Sequence, residues 1–371
     1  MTTSANTQPT PPTAEQWRDW RWQLRNSLRG AELARRFQLS TAATQWMASG
    51  GAFEVGVTPW FAQLCEETGV NGPLARQVLP STAEGEVADF ERRDPLGEDP
   101  HRVAPGLVHK YQDRVLLLVT DTCASYCRYC TRARWVATHT ESLDTAALDS
   151  AINWIADHDQ IRDVLVSGGD PLLLSTRRLN TLLDRLAAIP HLRFIRIGTR
   201  VPVFLPMRID EDLAHALRPR RIPIYVNVHI NHHAELPTYT RERLSLLADA
   251  GVPLGGQAVL LRGVNDAVET LRETFYAMLE ARVRPYYLFH CDPVRGTSHL
   301  RTSVDEGLAL MAGLVGHTSG MAVPKYCIDL EGGGKVPLWP DVIEGRTATE
   351  LIVRGFSGHT QHYPNVTPLA N

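Results

Sequence analysis

Cys123, Cys127 and Cys130 form a C-x3-C-x2-C arrangement inside the stretch DTCASYCRYCTRAR, residues 121–134, directly after a short apolar run. Thiolates are the ligands that iron–sulfur clusters take. Three on one short loop hold three irons of a cubane and leave the fourth open. An open iron can chelate the amino and carboxylate groups of S-adenosylmethionine and pass one electron to its sulfonium. Structural zinc takes four protein ligands, and no further cysteine or histidine follows at finger-like spacing. Six cysteines suit disulfides in small secreted domains, but here three of the six lie within eight residues of a long chain. The spacing therefore predicts a [4Fe–4S] cluster with radical chemistry, with these three cysteines as its metal ligands.

A second feature lies far downstream. Lys335 follows Gly332, Gly333 and Gly334 in a stretch whose composition predicts a mobile loop. A lysine amine on a flexible tether suits a Schiff base with pyridoxal phosphate, because imine exchange needs access. Gly-rich loops ending in lysine also bind phosphate, although this one lacks the outer glycine and following Ser/Thr of a nucleotide-binding loop. On the residues alone both readings stay open.

Such groups need a frame, and the chain supplies one from about residue 114. Apolar, β-branched runs occur at 114–120, 163–167, 194–198, 223–229, 253–261 and 285–290, with helix-like stretches at 145–156, 178–188, 241–250 and 268–281 between them. The last five runs begin about 30 residues apart, the length of a βα unit. Six such units predict an α/β fold, a partial (β/α)6 TIM-like barrel whose chemistry sits beyond the C-terminal strand ends. The unusual residues fall there: the cysteines, Ser167–Asp170, Thr199–Arg200, His229, Arg262–Asp266 and Cys291–Asp292 each follow a run. Residues 1–12 read as a disordered lead-in and 13–105 as a helical N-terminal region ending in a proline-marked connection. The barrel is expected over 106–300, and a C-terminal segment with the lysine loop and an oligomerisation role over 301–371.

Composition narrows the partners. With 38 basic and 41 acidic residues the net charge is −3, which argues against nucleic acid as a partner. No apolar run approaches the ~20 residues of a membrane span, and the polar, proline-containing start lacks the features of a signal peptide. A cytosolic location is expected.

The cluster loop resembles that of the lysine 2,3-aminomutase family, radical S-adenosylmethionine enzymes that also use pyridoxal phosphate. The similarity continues through SGGDP (167–171), GTRVPV (198–203), NVHINH (227–232), LLRGVND (260–266), RVRPYYLFHCD (282–292), HTSGMAVPKY (317–326) and GGGKVP (332–337), over roughly residues 105–340. The resemblance implies that Lys335 carries pyridoxal phosphate, that Tyr111 and Arg114 pack on and anchor it, and that Gln257 lines its pocket. It implies that Gly168, Gly169 and Asp170 receive the amino end of S-adenosylmethionine, the glycines by letting backbone approach it closely, and that His229 touches the same cofactor. Arg132 would clamp the substrate carboxylate, while Asp292 and Asp329 would receive a distal ammonium.

The implied reaction moves the α-amino group of a cationic amino acid to C3, with lysine favoured and arginine close. A reductase, flavodoxin or ferredoxin would supply the electron, to a homodimer or homotetramer. Two departures qualify this. DLEGGGK (329–335) appears one residue shorter than the family's DAPGGGGK and places Glu331 at a neutral position, which is expected to resize the pocket toward a guanidinium. Ala267 stands where some members carry a zinc-binding cysteine, and residues 357–371 contain no cysteine, so no zinc is expected. Desaturation of the same substrate is the alternative outcome. An epimerase, an enzyme acting on protein-bound lysine and a non-catalytic iron–sulfur scaffold also fit the cluster.

Overall fold

A computed structural model of the chain describes residues 11–137 and 144–365; the lead-in expected at 1–12 lies outside these apart from its last two residues. Side chains of period two build the sheet that carries the site. Its strands are β1 (Arg102–Ala104), β2 (Leu107–Tyr111), β3 (Arg114–Leu118), β4 (Asp163–Ser167) and β5 (Phe194–Thr199). They continue as β6 (Ile224–His229), β7 (Leu254–Leu260), β8 (Arg284–His290), β9 (Lys325–Leu330) and β10 (Gly334–Leu338), side by side in chain order. β3 to β9 are parallel, β1 and β2 turn back antiparallel before them, and β10 makes a hairpin on β9. β1 and β10 stand at opposite edges, so the sheet is an incomplete barrel.

Along β5, Ile195 and Ile197 are buried under the outer helices, while Phe194, Arg196 and Gly198 face the interior half-buried. The same alternation sets Gln257 and Val259 of β7 inward. The helices Thr145–Ala156, Thr176–Ala187, Thr238–Asp249 and Val268–Glu280 return the chain between strands. In the second of them Leu179, Leu182, Leu183 and Leu186 form one buried stripe, and Ser175 caps the start by accepting from the Arg178 amide. Five short helices, α1 (Ala14–Arg18), α2 (Trp20–Arg25), α3 (Gly30–Arg36), α4 (Thr41–Ala48) and α5 (Pro59–Glu67), precede the sheet. A separate three-stranded sheet of β11 (Ile343–Arg346), β12 (Glu350–Arg354) and β13 (Thr360–Pro364) follows it. Among the described residues no helix is long and apolar enough to cross a membrane.

The six expected strands are present, but the sheet runs from Arg102 to Leu338 and so crosses both expected boundaries, at 105/106 and 300/301. Lys335 corrects an expectation. It is not on a loop but in β10, paired across the hairpin with Asp329; only residues 331–333 turn.

Gly168 and Gly169 also have a packing role. A Cβ on Gly168, whose φ is +133°, would lie 2.2 Å from the Thr120 carbonyl oxygen, and one on Gly169 would lie 2.3 Å from that of Thr122. The Gly169 and Asp170 amides donate to those same carbonyls at 2.5 and 2.8 Å. The glycines thus let one loop's backbone press against the root of the cysteine loop. Gly169→Ala is expected to cost about 1–3 kcal/mol of stability, the range for overpacking, and to lower iron retained per chain. Urea unfolding and iron analysis measure the two.

Candidate active site

Two adjoining cavities, of about 270 and 320 Å³, run through the barrel interior and share Arg132, Asp329 and Lys335 in their walls. The first lies toward the C-terminal strand ends and is lined by the three cysteines, Gly168, Gly169, Asp170, His229, Gln257 and Asp292. The second reaches back to the starts of β3–β5 and is lined by Tyr111 and Arg114. The site therefore extends the length of the barrel and is not confined to its C-terminal rim. Every site residue picked out from the sequence borders one cavity or both. The 262–266 segment does not. Arg262 pairs with Glu306 at 3.1 Å, and Asn265 is buried holding the backbone of Asn231, Val259 and Leu261.

The cysteine loop is pinned from the N-terminal region. Arg128, between the second and third cysteines, is fully buried and meets Glu84 in two hydrogen bonds of 2.8 and 2.6 Å, while also donating to the Glu54 carbonyl at 2.8 Å. The Tyr126 and Arg128 amides donate to the carbonyls of Gly56 and Gln77. Burial, then the neighbouring thiols, pushes Cys123 well above the usual thiol range; burial and Cys127 push Cys130 up to about 11. All six cysteines are free. Among the described residues no group of three or more His, Cys, Asp and Glu side chains closes around a single metal ion. The donor set itself, three thiols on one loop bordering a cavity, fits a thiolate-held cluster with one open position.

Around it lies a buried polar network that the sequence reading did not foresee. Arg200 donates to Cys127 Sγ at 2.9 Å and to the Tyr129 hydroxyl at 2.6 Å. Asn231 donates to that hydroxyl and to Gln77, leaving its oxygen to accept from His229 Nε2 at 3.0 Å. This fixes the tautomer: Nε2 carries the proton and Nδ1 is free to accept. Burial and the Arg200 charge lower His229 to about 3, so the ring is neutral. The Asp170 carboxylate accepts from Thr199 Oγ1 and from the amides of Leu172, Arg200 and Val201, at 2.7 to 3.1 Å. Its oxygens are thus committed to joining the ends of β4 and β5.

At the other end, charges alternate. Lys335 Nζ lies 2.5 Å from Asp329 Oδ2, and the Lys335 amide donates to the Tyr111 hydroxyl at 3.0 Å. Arg114 stacks 3.8 Å over the Tyr111 ring and also pairs with Asp113 at 2.9 Å. Asp292 is pushed up to about 7 by burial and then by Asp329, against the opposing pull of Lys335, Arg301 and Arg132. Arg132 is not a free clamp. Glu98 holds it through Nε and Nη2 at 2.7 to 3.2 Å. Burial would raise the Glu98 carboxyl, but Arg132, Arg134 and Lys335 outweigh it and keep it below the usual range. Glu331 lines neither cavity; it is exposed beside Gly97. The expected widening toward a guanidinium has no support in its position. A lysine amine, a tyrosine ring and an arginine converging on 320 Å³ fit a planar, phosphate-bearing aldehyde.

Residues 117–275 match the model of the Radical SAM superfamily, and 311–369 that of Lysine-2,3-aminomutase. The chain is 41% identical to an L-lysine 2,3-aminomutase of Fusobacterium nucleatum, over 93% of this chain and 82% of that one. It is 40% identical to the L-lysine 2,3-aminomutase of Clostridium subterminale, over 96% and 86%. It is 36% identical to a glutamate 2,3-aminomutase of Clostridioides difficile, over 93% and 82%.

Glu84→Gln strands the buried Arg128 charge and is expected to cost about 3–5 kcal/mol, the range for breaking a buried pair. Chemical unfolding checks this. A loss of under about 1 kcal/mol, the surface-pair value, would show that the pair does not anchor the loop.

Proposed function

We propose, for a chain that belongs to the lysine 2,3-aminomutase family, that its reaction moves the α-amino group of a cationic L-amino acid to C3, and that lysine is the preferred substrate. The family contains relatives named for a cationic and for an anionic amino acid, so the pocket has to decide. The observation that carries the choice is the Lys335–Asp329 pair, with Asp292 beside it. A primary ammonium already sits against Asp329, within the field of Asp292. When Lys335 is engaged by its cofactor, that place is open to a substrate ammonium, and a glutamate side chain would be repelled from it.

When bound, the [4Fe–4S] cluster with S-adenosylmethionine supplies a hydrogen-abstracting radical, and pyridoxal phosphate supplies the carbonyl that holds the migrating nitrogen. The residues do the rest. Cys123, Cys127 and Cys130 would hold the cluster. His229 Nδ1 would accept a hydrogen bond from S-adenosylmethionine, and Gln257 would border it. The Gly168–Asp170 turn would contribute backbone, because the Asp170 oxygens are taken. Lys335 would hold pyridoxal phosphate against Tyr111 and Arg114. Arg132 would orient the substrate carboxylate through the donors that Glu98 leaves free, with Asp292 and Asp329 on the distal ammonium. Both ends of the substrate are then fixed, which aims one C–H bond at the radical. A flavodoxin or ferredoxin is the electron source we envisage, with a cytosolic homodimer or homotetramer as the working form.

The relatives named above are aminomutases, which favours the shift over desaturation. Anaerobic reaction of the reconstituted protein with lysine, arginine or glutamate, followed by mass spectrometry, tests this. A product of lysine's own mass with altered retention is expected. A product two hydrogens lighter, or turnover of glutamate in preference, would contradict it.

Asp292 makes a pH prediction. Its carboxyl titrates near 7, above the ordinary aspartate value, so it is protonated below that pH and ionised above it. An ammonium needs the ionised form. KM for lysine should therefore rise as pH falls through about 7. Asp292→Asn should flatten that dependence and raise KM about 10- to 100-fold, the worth of one charged hydrogen bond.

A further inference from the structure

We propose that Arg200 sets the reduction potential of the cluster held by Cys123, Cys127 and Cys130, by a charged hydrogen bond to one of its sulfurs; the inference rests on the cluster reading above. Arg200 is the residue just past β5, and its guanidinium is buried within the barrel. Nη1 is 2.9 Å from Cys127 Sγ. The same nitrogen reaches the Tyr129 hydroxyl, and Nη2 reaches Gln77 Oε1 and, at 3.1 Å, Glu235 Oε1. The guanidinium also lies 4.2 Å over the Phe204 ring. Its Nε is buried and has no hydrogen-bond partner among the described residues. The Arg200 amide is fixed by the Asp170 carboxylate at 2.7 Å. The charge is therefore held against the sulfur from both ends of the residue.

Reduction adds one electron to the cluster, and with it one negative charge. A cation in hydrogen-bond contact with a ligand sulfur stabilises the reduced form more than the oxidised one, raising the potential. Burial keeps water and salt from screening the effect. Glu235 works against it. That carboxylate is fully buried and accepts from Gln77, Arg200 and the Asn231 amide, all donors, as an ionised acid requires. The two charges therefore act with opposite sign on the same cluster, and this separates an electrostatic role from a scaffolding one.

The test uses the full chain, reconstituted anaerobically, with iron content and a redox titration followed by electron paramagnetic resonance. Arg200→Gln is expected to shift the midpoint to more negative potential with the cluster retained, and Arg200→Lys to shift it less. Glu235→Gln, which leaves the arginine charge unopposed, is expected to shift it the other way. Midpoints that do not move, or that move in the same direction in Arg200→Gln and Glu235→Gln, would overturn the proposal. If Arg200→Gln fails to fold or to hold iron, Glu235→Gln decides alone, and an unmoved or more negative midpoint refutes it. Wild-type protein that takes up no cluster would overturn the cluster reading itself, and this inference with it.

Discussion

Three thiols held side by side at the end of β3 are the constraint on which the rest of the site depends. Burial and mutual proximity make Cys123 and Cys130 resist ionisation, a tension that a cationic metal centre relieves. A loop this short cannot hold such an arrangement by its own hydrogen bonds. It is held from outside, by Glu84 on Arg128, by the carbonyls of Gly56 and Gln77, and by the glycine turn after β4 pressed on its root. The helical region before the barrel is therefore part of the site's construction, since it supplies most of these anchors.

The far end of the site obeys a second rule, near-neutrality by alternation. Lys335 faces Asp329, Asp292 lies within the field of both, and Arg132 faces Glu98. Lys335 and Arg132 each have an opposite partner, as burial demands, and Asp292 is left to be balanced by the charges around it. An amino acid with a carboxylate at one end and an ammonium at the other enters such a series by exchanging partners, with little change in total charge. That is a physical reason for a long cationic substrate in the proposed reading, and it does not depend on the identity of any relative.

How much of this the sequence carried follows from range. The six parallel strands were readable because buried strands show as uninterrupted apolar, β-branched runs. β9 and β10 were not, since KYCIDL and GKVPL mix polar and apolar residues, and the glycines before Lys335 made a hairpin look like a loop. The cysteines, Gly168–Asp170 and Asp292 could be gathered because each follows a strand, whereas Tyr111, Arg114, Gln257, Asp329 and Lys335 lie within strands and were reached through the family resemblance. What holds them could not be read. Arg132 meets Glu98 across 34 residues, Arg128 meets Glu84 across 44, and Arg200 meets Cys127 across 73; no spacing rule reaches so far. Glu331 shows the converse. Its place in the motif suggested the pocket, yet the hairpin turn carries it outside.

The central claim is that nitrogen migrates from C2 to C3 of lysine with no other change in composition. Lysine labelled with ¹³C at C2 and ¹⁵N at the α-amino group, turned over anaerobically and examined by nuclear magnetic resonance, tests it directly. The account predicts that the labelled carbon loses its one-bond coupling to ¹⁵N and becomes a methylene. A product in which that coupling persists, with or without loss of two hydrogens, would contradict it.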